Sequence, residues 1–308
     1  MATVSVIMSV YNGAEFLDEA IRSILVQTYR DFEFIAIDDG STDASLRILN
    51  HYAAGDKRIR VISRPNRGLT RTLNEAIQLA GGKYIARMDS DDVSMPRRLE
   101  QQVAFLEKNP QILLLGGAYE LIDDRGRKLT THYPPLDNDA LQQRCLDGRT
   151  PICHPLAMIR RDALLRVGGY DESFLVAQDL DLWLRLGEIG HLACLPDVLL
   201  YYRMHENSIS ERKQSQQVAN MRRAVEAAAR RRGVPVSFKG EAGWRALDDR
   251  ESRLKQATKY GWWAWHSGHN RTALVYGCKA IVAHPGSGEG WKLLLAAMLR
   301  RSPRARSV

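Results

Sequence analysis

Apolar positions in the first hundred residues follow two alternating rhythms. Compact runs, mostly β-branched or aromatic, at residues 4–8, 32–37, 60–62 and 84–88 read as buried strands. Between them, apolar residues recur three and four apart, the period of a helix. Phe16, Leu17, Ala20, Ile21, Ile24 and Leu25 mark one over residues 14–27. Leu46, Ile48 and Leu49 mark a second behind a Thr42-Asp43 cap, and Leu73, Ala76, Ile77 and Ala80 a third, ended by Gly81-Gly82. Strands and helices in alternation predict βαβ units with right-handed crossovers around a mainly parallel sheet.

The middle third is less regular. Residues 112–117 predict a strand, Gly126 a turn, and residues 128–132 another strand. Residues 156–159 look extended, and residues 179–186 predict a helix with Leu182, Trp183 and Leu186 on one face. Added antiparallel strands would make the sheet mixed. Beyond about residue 210 the strand signals stop. The expected organisation is therefore an α/β domain over residues 1–210 and a helical extension over residues 211–308.

The polar residues that interrupt this pattern collect at strand ends. The first strand runs into Tyr11-Asn12-Gly13, the second into Asp38-Asp39-Gly40-Ser41, the fourth into Asp89-Ser90-Asp91-Asp92. Parallel sheets bind ligands at the carboxyl ends of their strands, so all three belong on one edge. Three crowded carboxylates repel one another unless a cation or proton intervenes, and Mg2+ or Mn2+ is the natural partner of such oxygens. A turn with a helix cap would account for Asp38-Asp39-Gly40 alone, and a solvated capping loop for the acids after the fourth strand. Three such ends converging favour a ligand site.

Composition narrows the partners. The 308 residues, 44% hydrophobic and 26% charged, suit an ordinary globular chain with a sizeable core. The net charge of +8 gathers late, in Arg222-Arg223, Arg230-Arg231-Arg232 and Arg300-Arg301. No aromatic-interleaved basic motif accompanies it, so nucleic acid is not an expected partner. Cys145, Cys153, Cys194 and Cys278 lack metal or disulfide spacing and read as reduced thiols. With no signal-like N-terminus and no apolar run near the ~20 residues a spanning helix needs, the expected place is the cytoplasm.

Together these segments resemble glycosyltransferase family 2, which has the GT-A fold. The likeness rests on residues 4–12, Asp38-Asp39-Gly40-Ser41-Thr42-Asp43 and Met88-Asp89-Ser90-Asp91-Asp92. It continues through His154-Pro155, Gly168-Gly169-Tyr170-Asp171, residues 178–185 and Tyr202-Arg203-Met204-His205, covering about residues 3–210 in order. The resemblance implies a GT-A type, Rossmann-like mixed sheet flanked by helices, and a metal-dependent inverting glycosyltransferase. Tyr11 and Asp39 would hold the base of a nucleotide-sugar donor, UDP- or dTDP-linked by preference. Asp89 and Ser90 would border its ribose and diphosphate; from their place after the third strand, Arg67 and Arg71 either reach those phosphates or are solvated surface arginines. Asp91, and His205 after the catalytic region, would hold Mn2+ or Mg2+, and Asp179 would be the catalytic base. The acceptor would be a saccharide or lipid-linked saccharide of surface glycan synthesis.

Two positions depart from the family: Ser9 stands where proline is frequent, and Gln178 where glutamate is common. A nucleotidyltransferase would also set acids beside a nucleotide, but Tyr11-Asn12-Gly13-Ala14-Glu15 is no glycine-rich basic phosphate loop. A non-catalytic scaffold working through its helical tail is the other alternative. In that tail Trp262, Trp263 and Trp265 cluster, and small residues fall as in one tetratricopeptide hairpin. Residues 291–301, apolar almost all round and ending in arginine, read either as a packing helix or as a segment bound to an anionic membrane surface.

Overall fold

The computed structural model describes residues 2–205, 214–240 and 250–299. The alternation appears as β1 (Val4–Val10), α1 (Ala14–Leu25), β2 (Phe32–Asp38), α2 (Ser45–Gly55), β3 (Ile59–Ser63), α3 (Leu69–Leu79) and β4 (Tyr84–Met88). There follow β5 (Val93–Ser94), α4 (Arg98–Lys108), β6 (Ile112–Ile122), β7 (Lys128–His132), α5 (Asn138–Leu146), a 3-10 turn (His154–Leu156), β8 (Met158–Arg160), α6 (Arg161–Arg166), α7 (Gln178–Gly187) and β9 (His191–Arg203). Helices α8 (Gln214–Arg232), α9 (Arg250–His266), α10 (Asn270–Ala283) and α11 (Gly288–Leu299) end the described chain.

Strand order is β3-β2-β1-β4-β8-β6-β9-β5, with β7 on β6. β1, β2, β3 and β4 are mutually parallel, while β8 runs antiparallel to both β4 and β6. The order reverses between β1 and β4, because the chain first winds outward to β3 and then returns to the other side of β1. That reversal opens a crevice at the carboxyl ends of β1 and β4. The fold is the mixed, mainly parallel α/β sheet with a helical C-terminal region that the sequence implied.

Two compact units emerge. The first comprises Met1–Tyr119, Tyr133–Tyr201 and Ser215–Glu241. Its core joins Ile7, Ile35, Ile37 and Ile85 of the sheet to Leu73, Ala76 and Ile77 of α3 and Leu180, Trp183 and Leu184 of α7. Helix α8 closes that core with Ala224, Val225 and Ala228. The second comprises Glu120–His132, Tyr202–Gln214 and Ala242–Val308. Within it Ser267 Oγ donates to Thr130 Oγ1 (2.8 Å), Tyr276 Oη donates to Asp123 Oδ2 (2.8 Å), and His269 Nε2 meets Glu120 Oε1 (2.8 Å). Among the described residues no helix is long and apolar enough to cross a membrane.

Some elements lay outside the sequence pattern. The strand expected over 112–117 runs on to Ile122, and the extended piece expected over 156–159 appears as β8, Met158–Arg160, behind an unforeseen 3-10 turn at His154–Leu156. Helix α4 buries Arg98 and Gln102 beside Leu99, Val103 and Leu106, so polar residues disguise its inner face. In β9 the apolar run is broken by Pro196-Asp197, which hides a thirteen-residue strand.

Candidate active site

The loops that follow β1 and β2 are stitched together by short polar side chains. Asn12, at φ 50°, donates its amide to Ser41 Oγ (3.0 Å) and accepts from Thr42 N (2.8 Å). Gly13 N donates to Ser45 Oγ (3.0 Å) and Ala14 N to Asp43 Oδ2 (3.0 Å). Gly13 also abuts the loop after β4: a Cβ there would sit 2.9 Å from Ser90 Oγ. A glycine at this point lets the β1 and β4 ends approach. Beside them Tyr11 leaves 55% of its surface open, a ring free to stack on a planar ligand.

Asp38 and Asp39 are both buried but differ in their attachments. Asp38 accepts from Ser41 N (3.2 Å) and Ser63 Oγ (2.8 Å), pinning its own turn to β3. Asp39 Oδ1 accepts Arg67 N (2.8 Å) and pairs with Arg64, while Oδ2 accepts Gly68 N (2.9 Å). Arg64 in turn reaches Glu75 (2.7 Å) and Thr72 Oγ1 (2.8 Å). Asp39 thereby fixes the entry to α3. Oδ2 has taken one donor and retains capacity for another.

At the end of β4 the acids converge. Single carboxylate oxygens of Asp89, Asp91 and Asp92 all lie within 4.8 Å of one another, with Asp92 buried and the other two partly open. Three hard oxygens at that spacing, with no sulfur or imidazole among them, suit Mg2+ or Mn2+ in chemistry and number. Arg87, 2% exposed inside β4, forms an ion pair with Asp89. Fully buried Arg98 of α4 braces the same strand end by donating Nη2 to Arg87 O (2.8 Å) and Nε to Gln102 Oε1 (3.1 Å). Burial pushes the Asp89 carboxyl upward, Arg87 opposes this, and the charges of Asp91 and Asp179 add to the rise.

That last influence ties Asp179 to the cluster. Asp179 lies in the first turn of α7, half-buried, accepting Leu180 N (2.9 Å) at Oδ1. Burial raises its proton affinity above the ordinary carboxylate range, against the Leu180 amide and Arg87. Close by, His154 Nε2 meets Tyr170 Oη (2.7 Å), and its ring packs edge-on to Tyr170 and Trp183. Burial, with help from Arg87, keeps that imidazole neutral at pH 7. His154 and Tyr170 thus form a fixed polar wall.

Two further expected residues, Arg71 and His205, have surroundings of their own. Arg71 sits on the exposed side of α3, paired with Glu172 (3.0 Å) in a shallow cleft of about 430 Å³ also lined by Arg67, Asn74 and Gln78. His205 follows β9, half-buried, in the second unit. Sequence reasoning missed Arg64 and Arg87 as participants. Arg87 carried a usable signal: an arginine inside an otherwise apolar strand must be buried with a counter-charge.

Comparison with known proteins gives this geometry a family. The sequence model of Glycosyl transferase family 2 matches residues 5–168. The protein EpsE of Bacillus subtilis (strain 168) is 39% identical over 217 residues, 69% of this chain and 76% of its own. The O-antigen biosynthesis glycosyltransferase WbnJ of Escherichia coli is 35% identical over 209 residues, 67% of this chain and 81% of its own. Among solved structures, the mannosyltransferase PcManGT from Pyrobaculum calidifontis, in complex with GDP-Man and Mn2+, superposes with a TM-score of 0.60 at 18% identity. That likeness covers 97% of this chain and 80% of the other, and carries the fold alone. With a family match over more than half its length and relatives alike across three quarters of theirs, the chain belongs to glycosyl transferase family 2.

Proposed function

We propose that this chain is a metal-dependent inverting glycosyltransferase that moves a sugar from a nucleoside diphosphate onto a hydroxyl acceptor. The observation that carries the reading is the trio of oxygens from Asp89, Asp91 and Asp92 at the sheet's switch point, electrostatically coupled to Asp179. Tyr11 stacks on the base, and the spare acceptor capacity of Asp39 Oδ2 suits the imide N–H of uracil or thymine. This favours UDP- or dTDP-sugars. Ser90 and Asp89 border the ribose and diphosphate, and Arg71 of α3 would supply a cation to the phosphates.

Asp91, with Asp89 and Asp92, would hold Mn2+ or Mg2+. When bound, such an ion neutralises charge on the departing diphosphate. Asp179 takes the proton of the acceptor hydroxyl as that oxygen bonds to the anomeric carbon, and the carbon–oxygen bond to the diphosphate breaks with its electron pair leaving on the nucleotide. A single displacement inverts the anomeric centre. A carboxylate with raised proton affinity is the stronger base, so burial of Asp179 suits the task. The acceptor in this reading is a saccharide, lipid-linked at the cytoplasmic face of a membrane, in surface polysaccharide synthesis. WbnJ, which carries O-antigen biosynthesis in its name, supports that direction.

Calorimetric titration of UDP, dTDP and GDP, each with and without Mn2+, is the test. The expected result is Mn2+-dependent binding of one nucleotide, weakened by Asp91→Ala. Asp179→Asn is expected to keep that binding and lose transfer by about a hundredfold or more. Equal nucleotide affinity with and without metal would remove Asp91 from its role. Substantial transfer by Asp179→Asn would reassign the base.

A further inference from the structure

The arginine-rich helix α8 clasps the element that carries Asp179. Ahead of α7, Asn220 Nδ2 donates to Val176 O (3.0 Å), and Arg223 Nη2 donates to Ser173 O (3.2 Å) and Oγ (3.0 Å). The Arg223 guanidinium also lies 3.8 Å over the centre of the Phe174 ring. Thr70 Oγ1 of α3 holds Phe174 O (3.0 Å). Towards the far end of α7, Arg232 Nη2 donates to Leu184 O (2.8 Å), and Arg231 pairs with Glu188 (2.8 Å).

Between these attachments the backbone does something unfavourable. Ala177, the residue before α7, adopts the left-handed conformation (φ 61°, ψ 21°), where a Cβ crowds the following carbonyl. No side-chain cap supports the turn. Asp179 lies two residues beyond, so the direction of its carboxylate depends on a conformation that alanine alone does not prefer. Such a conformation persists only where its surroundings over-determine it. Here the held carbonyls of Ser173, Phe174 and Val176 supply that constraint.

We infer that Asn220, assisted by Arg223, is a positioning residue for Asp179: by fixing the Val176 and Ser173 carbonyls they hold Ala177 left-handed and so aim the carboxylate into the crevice. The inference rests on Asp179 being the catalytic base. It also gives Arg223, in the first of the late basic runs, a structural purpose.

The full-length chain tests it through Asn220→Ala, Ala177→Gly and the double variant. Alanine keeps α8 helical. Glycine adopts a positive φ without the Cβ penalty. The reaction read is release of nucleoside diphosphate to water from UDP-glucose, UDP-N-acetylglucosamine, a dTDP-sugar and GDP-mannose, using whichever turns over. Asn220→Ala is expected to lower kcat about tenfold or more with KM and Mn2+-dependent nucleotide affinity unchanged. Ala177→Gly in that background is expected to restore most of the lost kcat, which a merely structural role of Asn220 would not allow. Amide exchange over residues 173–181 gives a readout free of turnover, and it should quicken in Asn220→Ala. An unchanged kcat, a double variant as slow as Asn220→Ala, or unchanged exchange overturns the inference. Asp179→Asn, run in parallel, separates the two ideas: activity retained there sinks the base assignment, whereas activity lost there beside a normal Asn220→Ala sinks only the positioning role.

Discussion

Arg64 illustrates how one side chain orders the loops that follow β2 and β3. It is 10% exposed, pairs with the 3% exposed Asp39, and extends to Glu75 and Thr72. Removing one member of a buried ion pair strands the other, at a cost of about 3 kcal/mol or more. Arg64→Ala should therefore lower the melting temperature by several degrees and loosen the Arg67-Gly68 turn. Lys83→Ala, which breaks a pair with Glu107 that is about half exposed on both sides, should cost under about 1 kcal/mol. Calorimetric melting of the two variants decides; equal shifts would mean that Asp39 is compensated by its two backbone amides alone. At this scale the sequence was readable where chemistry fell at strand ends, as with Asp89, Asp91 and Asp39. It was opaque for Arg64, just past β3, because a partner 25 residues away leaves no local spacing to detect.

Elements announce themselves when their inner faces are apolar, and hide when polar groups are buried in pairs. Helix α4 went unforeseen for that reason, and strand β9 because the exposed Pro196-Asp197 pair interrupts its apolar run, whereas β1, β2 and β4, nearly all apolar, were plain. The second unit shows the same principle in its polar node. Burial pushes the Asp123 carboxyl up, but the Arg127 amide, the Arg127 guanidinium and the Tyr276 hydroxyl outweigh it and hold it below the usual carboxylate range. Glu120 behaves alike, burial being outweighed by His269 and Lys128. A depressed carboxylate contributes stability above its unfolded pKa, about 4 for these groups, and loses it as pH falls through the folded value. The contacts that tie α9 and α10 to β6 and β7 should thus weaken below about pH 4. Trp262, Trp263, Trp265 and Trp291 all lie in that unit and report the event by fluorescence. Asp123→Asn should lower stability at neutral pH and flatten the acid limb. An identical acid limb in the variant would place the titrating group elsewhere.

For the whole molecule, the net charge of +8 had no assignment from sequence, since the basic runs fitted either a solvated face or an anionic partner. The structure divides them. Arg223, Arg231 and Arg232 are engaged with Ser173, Glu188 and Leu184 within the first unit, which removes them from any account of surface binding. The C-terminal group differs. Helix α11 buries Gly290, Leu293 and Ala297 on one side, yet Trp291 (49%), Leu295 (52%), Met298 (64%) and Leu299 (78%) remain exposed on the other. After the last acid, Glu289, the sequence carries Lys292, Arg300, Arg301, Arg304 and Arg306 without another carboxylate side chain, although residues 300–308 lie outside the described residues. An apolar strip followed by cations fits the boundary of an anionic bilayer, which would also bring a lipid-linked acceptor near. Each arginine near such a surface contributes on the order of 1 kcal/mol, screened within a Debye length of about 8 Å at physiological salt. Binding to vesicles containing phosphatidylglycerol should therefore exceed binding to pure phosphatidylcholine and fall as salt rises. Replacing Arg300, Arg301, Arg304 and Arg306 by glutamine should remove most of the salt-sensitive part, while Leu295→Gln with Met298→Gln should weaken what persists at high salt. Equal binding to neutral vesicles, or no loss in either variant, would leave the exposed face of α11 to another occupant and detach the membrane from the proposed function without touching the sugar-transfer chemistry.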